Sequence, residues 1–251
     1  MSRRLEEIDW QSTPLGDLML RRRREPTTGR EIYEVKLGEE FLMSSLFTAA
    51  EIELAHLGLA AARPTGPTGI HDAPDLDVVV GGLGLGYTLV AALESDRVRS
   101  VRVIEALAPV ISWHERHLLP DTVAATDDPR TTFVHGDFFA WARRGGPPGV
   151  DVVLLDVDHT PEHHLHPSHA DLYTPDGLRS LAGHLRPEGV FALWSDDPPD
   201  PAFVGVLSEV FVDVEGVVVD FANPITGSTS SNSVYTARWR PGHAPASGPT
   251  D

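Results

Sequence analysis

The chain has 251 residues, room for one α/β domain with a small extension, and a formal net charge of −17. That acidic excess argues against nucleic acid as a partner, because phosphate recognition wants a basic surface, and it suits small cationic or amine-bearing molecules. Cysteine is absent, which excludes disulfides, thiolate nucleophiles and cysteine metal sites, and no stretch approaches the roughly 20 apolar residues of a membrane span.

The first residues, MSRRLEEIDW, lack the apolar core of a signal peptide, so a cytoplasmic location is expected. Residues 1–62 read as an N-terminal β region with a linking helix. Strand patterns fall at 16–20, 32–37 and 41–43, separated by PTTG and GEE turns, and a helix with an apolar face at 47–61. The basic run Arg21 to Arg24 alternates along a strand and reads as a solvated edge. RPTGPTGIHDAP at 63–74 is a Pro/Gly linker. From 75 to 240 strand and helix alternate. Strands are expected at 78–80, 101–104, 131–134, 150–155, 189–194, 216–221 and 233–239. Helices are expected at 88–93, 107–118, 138–143, 172–185 and 202–211. Five alternating units followed by a pair with no helix between them predict a Rossmann-like, doubly wound seven-stranded sheet closed by a β-hairpin. Residues 241–251 read as a disordered tail.

The stretch DVVVGGLGLGYT organises the rest. An all-apolar strand runs into Gly81, Gly82, Gly84 and Gly86 and then into a helix, which lets backbone N–H groups approach a ligand closely. The next strand ends on Glu105, followed by Ala106, where nucleotide-binding βαβ units place a carboxylate for ribose hydroxyls. The dinucleotide fingerprint is G-x-G-x-x-G, whereas Gly82, Gly84 and Gly86 spell G-x-G-x-G, the spacing of S-adenosylmethionine-dependent methyltransferases and polyamine synthases.

Ligands of such sheets sit beyond the carboxyl ends of the strands. There Asp137 could accept from an adenine amino group, or cap the helix that begins at Phe138, or do both; Phe138 could lie against the ring. Asp156 ends a buried strand and is the leading catalytic candidate, able to orient an amine and take its proton. Asp158 and His159 could share that work, or Asp158 could brace the loop. Four more histidines follow in PEHHLHPSH. His164-x-His166-x-Ser168-His169 lacks the Asp of a zinc-hydrolase motif, so a lid over the cleft is preferred and no metal is expected.

These pieces, in order, resemble the spermidine synthase-like proteins, the polyamine aminopropyltransferases: VVVGGLGLGYT, VRVIEALAPVI, DPRTTFVHGDFFAWA, DVVLLDVDHT, LYTPDGL and HLRPEGVFALW. The resemblance implies a methyltransferase-type sheet and a sulfonium nucleoside at the glycine turn, either S-adenosylmethionine or its decarboxylated form. It also implies Glu105 on the ribose, Asp137 near adenine, Asp156 as base for an amine, and commonly a homodimer. Three departures stand out. The family's turn carries Asp as GGGDGG, where Gly84 or Leu85 stands here. Its Asp-Ser-x-Asp loop reads Asp156-Val157-Asp158-His159. Its N-terminal glutamine is missing near Met43 and Ser44. An Asp within about 4 Å of a donor carboxylate costs on the order of 4 kcal/mol at an effective dielectric near 20, so a neutral turn tolerates intact S-adenosylmethionine. Methyl transfer to a small amine is thus expected slightly ahead of aminopropyl transfer, with a non-catalytic nucleoside-binding module as the other class.

Overall fold

A computed structural model describes residues 5–63 and 75–243. The linker and tail anticipated from composition therefore lie almost entirely outside the described residues.

Four antiparallel strands open the chain: β1 (Leu5–Thr13), β2 (Gly16–Arg24), β3 (Glu31–Leu37) and β4 (Glu40–Ser44), paired in that order. The first was not expected. In LEEIDWQST only Leu5, Ile8 and Trp10 are large and apolar, and none of its residues is buried, so no alternation announces it. The arginine run is likewise not an edge. β2 lies between β1 and β3, and Glu34, buried, accepts from Arg21 Nε at 2.7 Å and Arg23 Nε at 2.8 Å, while Arg22 donates to Glu6 at 2.6 Å. Acids on the neighbouring strands thus neutralise charges that composition alone assigns to solvent.

Helix α1 (Ala49–Ala61) leads to the main sheet, built from β5 (Leu76–Gly81), β6 (Val98–Glu105), β7 (Thr131–His135), β8 (Val150–Leu155), β9 (Leu185–Ser195), β10 (Val212–Asn223) and β11 (Ser228–Arg238). Their spatial order is β10-β11-β9-β8-β5-β6-β7, parallel except for the β10–β11 hairpin, which joins β9 antiparallel. This is the doubly wound, hairpin-closed sheet the pattern predicts. The apolar strands serve two cores because successive side chains alternate faces. Val78, Val80, Val152 and Leu154 pack with α1 and with α2 (Tyr87–Leu93). Val79, Val153 and Leu155 pack on the other side with α5 (Phe138–Arg144), α6 (Pro175–Ala182) and α7 (Pro201–Ser208).

Boundaries moved where caps decided them. The helix expected over 172–185 is a 3-10 segment, Pro167–Tyr173, followed by α6. Thr174 caps α6 by accepting from Gly177 N, and Leu185 already belongs to β9. The helix expected over 107–118 is α3 (Ala108–Glu115). It is followed by an unforeseen 3-10 turn, Pro120–Thr122, and the short α4 (Val123–Thr126). α7 stops at Ser208 rather than 211. No described helix is long and apolar enough to cross a membrane.

Candidate functional site: a cavity between the glycine turn and the hairpin

The glycines between β5 and α2 are required by backbone and space together. Gly82, Gly84 and Gly86 have φ of 89°, 49° and 87°, the left-handed region that side chains avoid. A Cβ on Gly82 would stand 2.2 Å from the Asp156 carbonyl oxygen, and one on Gly86 would stand 2.7 Å from His114 Cε1. The turn is held from below as well. His114, fully buried on α3, has Nε2 3.0 Å from the Gly84 carbonyl, which can only accept, so Nε2 carries the proton. Burial pushes this imidazole's pKa down, which keeps it neutral, and Nδ1 faces the Thr122 hydroxyl at 3.1 Å.

Glu105, at the end of β6, clasps the same turn. Its Oε2 accepts from Leu83 N at 2.8 Å and its Oε1 from Leu107 N at 2.7 Å. Burial pushes the carboxyl up, while the amides of Leu83, Leu107, Gly84 and Ala106 favour its charged form. With four amides around its two oxygens, Glu105 fixes the shape of the turn. Ala106 is exposed beside it, and its carbonyl lies 3.1 Å from His135 Nε2. Asp137 caps α5, with Oδ1 accepting from Phe139 N at 2.8 Å. Its Oδ2 is 3.7 Å from Arg143, and the side chain is half exposed. Phe138 is in the core, packed over Gly81, and presents no open ring face.

A cavity of about 550 Å³ opens on the other side of the turn. Gly84, Gly86, Asp156 and His159 line it, together with Leu83, Leu85 and Tyr87, whereas Gly82, Glu105, Ala106, Asp137, Phe138 and Asp158 do not. Its carboxylates are Asp156, Glu51 and Asp196, and no lysine or arginine faces it among the described residues. Thr88 donates to Asp156 Oδ2 at 2.8 Å, and the same hydroxyl lies 3.3 Å from the Glu51 carbonyl oxygen. Burial, and then the neighbouring Asp156 charge, push Glu51 up to about 8. Burial pushes Asp156 up to about 6 against the Thr88 hydrogen bond. Repulsion between like charges is mutual, so a proton entering this pair is shared. Asp196 is anchored to the hairpin by Asn232 Nδ2 at 2.6 Å.

Asp158 is 1% exposed and faces away from the cavity. It accepts from Leu165 N, from the ring of His169 and from Tyr173 Oη, each at 2.8 Å, and so ties the loop after β8 together. The other histidines are similarly engaged. His164 reaches the Pro161 carbonyl and stacks on Tyr173, His169 stacks on Phe139, and His166 meets Ser168. No group of three metal-ligating side chains converges among the described residues. His159 reaches the cavity, with Nε2 3.4 Å from Glu40.

Sequence reasoning missed Glu51 and Asp196. Asp196 was within reach, since it directly follows the strand ending at Ser195 and obeys the same strand-end rule that singled out Asp156. Glu51 was not, because an acid in the first turn of a helix reads as a partner of the helix dipole.

The sheet order, preceded by the small antiparallel sheet, defines a Rossmann-like fold of the spermidine synthase type. Within that fold the chain is similar, at low sequence identity, to solved spermidine synthases and to curated putrescine N-methyltransferases. No protein-family model matches it. A spermidine synthase solved with the transition-state analogue AdoDATO superposes with a TM-score of 0.70 at 19% identity, covering 92% of this chain and 73% of that one. The spermidine synthase of Thermotoga maritima gives 0.67 at 19% identity, covering 92% and 72%. A probable spermidine synthase of Corynebacterium glutamicum gives 0.61 at 15%, covering 93% and 79%. Among curated proteins, putrescine N-methyltransferase 2 of Nicotiana attenuata is 24% identical over 63% of this chain and 48% of its own length. Putrescine N-methyltransferase 1 of the same plant is 25% identical over 63% and 46%. The matched region thus spans about half the length of those relatives.

Proposed function

We propose that the chain transfers an alkyl group, methyl in the first place, from a sulfonium nucleoside to a small amine. The observation that carries this reading is the meeting of the glycine turn with a cavity lined by three carboxylates and one histidine and, among the described residues, by no lysine or arginine. Bound S-adenosylmethionine would supply the activated carbon. The residues suited to hold it are Gly84 and Gly86, which line the cavity, Glu105 at the end of β6, and Asp137 through its exposed oxygen. An amine enters as an ammonium drawn by Asp196 and by the charge of the Glu51–Asp156 pair. Asp156 takes its proton. The freed nitrogen lone pair then forms the N–C bond as the C–S bonding pair returns to sulfur.

Two observations favour methyl over aminopropyl transfer: the neutral Gly84-Leu85 in the turn, and the sequence similarity to methyltransferases. The acidic trio favours the second reading, aminopropyl transfer from decarboxylated S-adenosylmethionine, because it could grip an aminopropyl ammonium. Calorimetry with both donors and methylthioadenosine separates them. Binding of intact S-adenosylmethionine supports the first, binding of the decarboxylated donor alone supports the second, and binding of none refutes both. Asp156→Asn is expected to leave the donor Kd unchanged and lower kcat by about 100-fold or more. A base must be unprotonated to act, so wild-type kcat should fall as pH drops below about 6. The same reading takes the chain as a homodimer, which light scattering tests.

A further inference from the structure

The β10–β11 hairpin continues past the end of its neighbour. β9 ends at Ser195, paired with Ser233, but β11 runs on to Ser228 and β10 to Asn223, a two-stranded ribbon overhanging the carboxyl edge of the sheet. Phe221 and Ser231 of this ribbon line the cavity. Facing them from the chain's beginning are Phe41 and Phe47, and the rings of Phe47 and Phe221 lie 5.8 Å apart at 49°. The cavity is therefore two-ended. The acids sit together at one end: Asp156 and Asp196 follow the adjacent strands β8 and β9, and Glu51 meets Asp156 through Thr88. Asn232 holds Asp196 at the base of the ribbon, and beyond it the lining residues Phe221, Asn223, Ser230 and Ser231 carry no charge.

On the reading proposed above, we infer that the acceptor is a monoamine with an aryl body. Its single ammonium lies at the acidic end and its ring against the packed Phe47–Phe221 pair. A linear diamine would bring a second ammonium to the ribbon end, where no carboxylate of the lining replaces its lost water. An aryl ring there removes apolar surface from water on both partners and meets rings at offset or tilted geometry. Aromatic faces also attract ammonium groups, which makes the diamine the rival occupant. The transfer balances as before. One ammonium proton goes to the Asp156–Glu51 pair, one N–C bond forms, and one C–S bond breaks with its electrons kept by sulfur.

Titration calorimetry with 2-phenylethylamine and with butane-1,4-diamine tests this, each with and without S-adenosylhomocysteine. Phenylethylamine should bind about tenfold tighter than the diamine. Phe221→Ser, on the solvent-flanked ribbon, should weaken phenylethylamine about tenfold and leave S-adenosylhomocysteine binding unchanged. Ser230→Asp, which places a carboxylate on the lining opposite Phe221 and away from the Asp220–Ser231 pair, should tighten the diamine about fivefold. A diamine that binds wild type equally or more tightly overturns the inference, as does phenylethylamine binding indifferent to Phe221→Ser. Amine binding is read directly. Failure of S-adenosylhomocysteine to bind therefore refutes the transferase reading separately, without deciding which amine the cavity prefers.

Discussion

Removing the charge of Glu51 offers the sharpest check on the electrostatics of the cavity. Its carboxyl is pushed from 4.5 to about 8 by burial and then by Asp156, so at alkaline pH folding confines an anion beside another anion. A shift of that size, at 1.36 kcal/mol per pH unit, sets a ceiling on the order of 5 kcal/mol. Glu51 is partly open to the cavity, and water there screens it, so about 2 kcal/mol is the working expectation. The sign follows from linkage. A carboxyl whose folded pKa is raised binds its proton more tightly in the folded state. Its stabilising share is present below the unfolded value of 4.5 and is lost as pH rises through about 8. Glu51→Gln should therefore melt about 6 °C above wild type at pH 8.5, and the difference should vanish by about pH 4. Differential scanning calorimetry across that range is the assay. Equal destabilisation of Glu51→Gln at both ends of the range would mean that Glu51 is charged and well partnered, and would refute the reasoning. Because Glu51 still holds its proton where Asp156 titrates, the Asp156 titration seen in kcat should stay near pH 6 in Glu51→Gln.

Two further substitutions test parts of the frame. Gly82→Ala forces a Cβ to 2.2 Å from the Asp156 carbonyl oxygen at a φ of 89°, and should cost about 3 kcal/mol or more in denaturant unfolding, with donor binding lost in whatever remains folded. Asp158→Ala leaves Tyr173 Oη, the Leu165 amide and His169 without their acceptor. About 2–4 kcal/mol and earlier proteolytic cleavage within 158–173 are expected, and donor affinity should be unchanged because Asp158 does not reach the cavity.

The main sheet was legible because its information is local. Val78 to Val80 and Val152 to Leu155 are apolar runs too short for helices, glycines at 82, 84 and 86 permit only a tight turn, and the missing helix between the last two strands demands a hairpin. The same locality marked Glu105 and Asp156 as strand-end acids. The small sheet was half visible, because β1 buries none of its residues and leaves no period to read. The arginine run became an internal strand only through Glu34, thirteen residues from Arg21 and eleven from Arg23.

Other features depend on distances across the fold that no spacing encodes. Asp156 and Asp158 are two positions apart and read alike, yet one faces the cavity and the other anchors the loop, because the chain turns between them. Phe138 went to the core because Gly81, having no side chain, left space for its ring. Glu51 became part of the site because α1 packs across the ends of β8, β9 and α2, bringing a residue from the chain's first quarter to the Thr88 hydroxyl. Sequence alone determined which strands and turns form, since those follow from side-chain period and backbone sterics. Tertiary packing alone decided which acids share a cavity, since that depends on burial and charge brought together from distant parts of the chain.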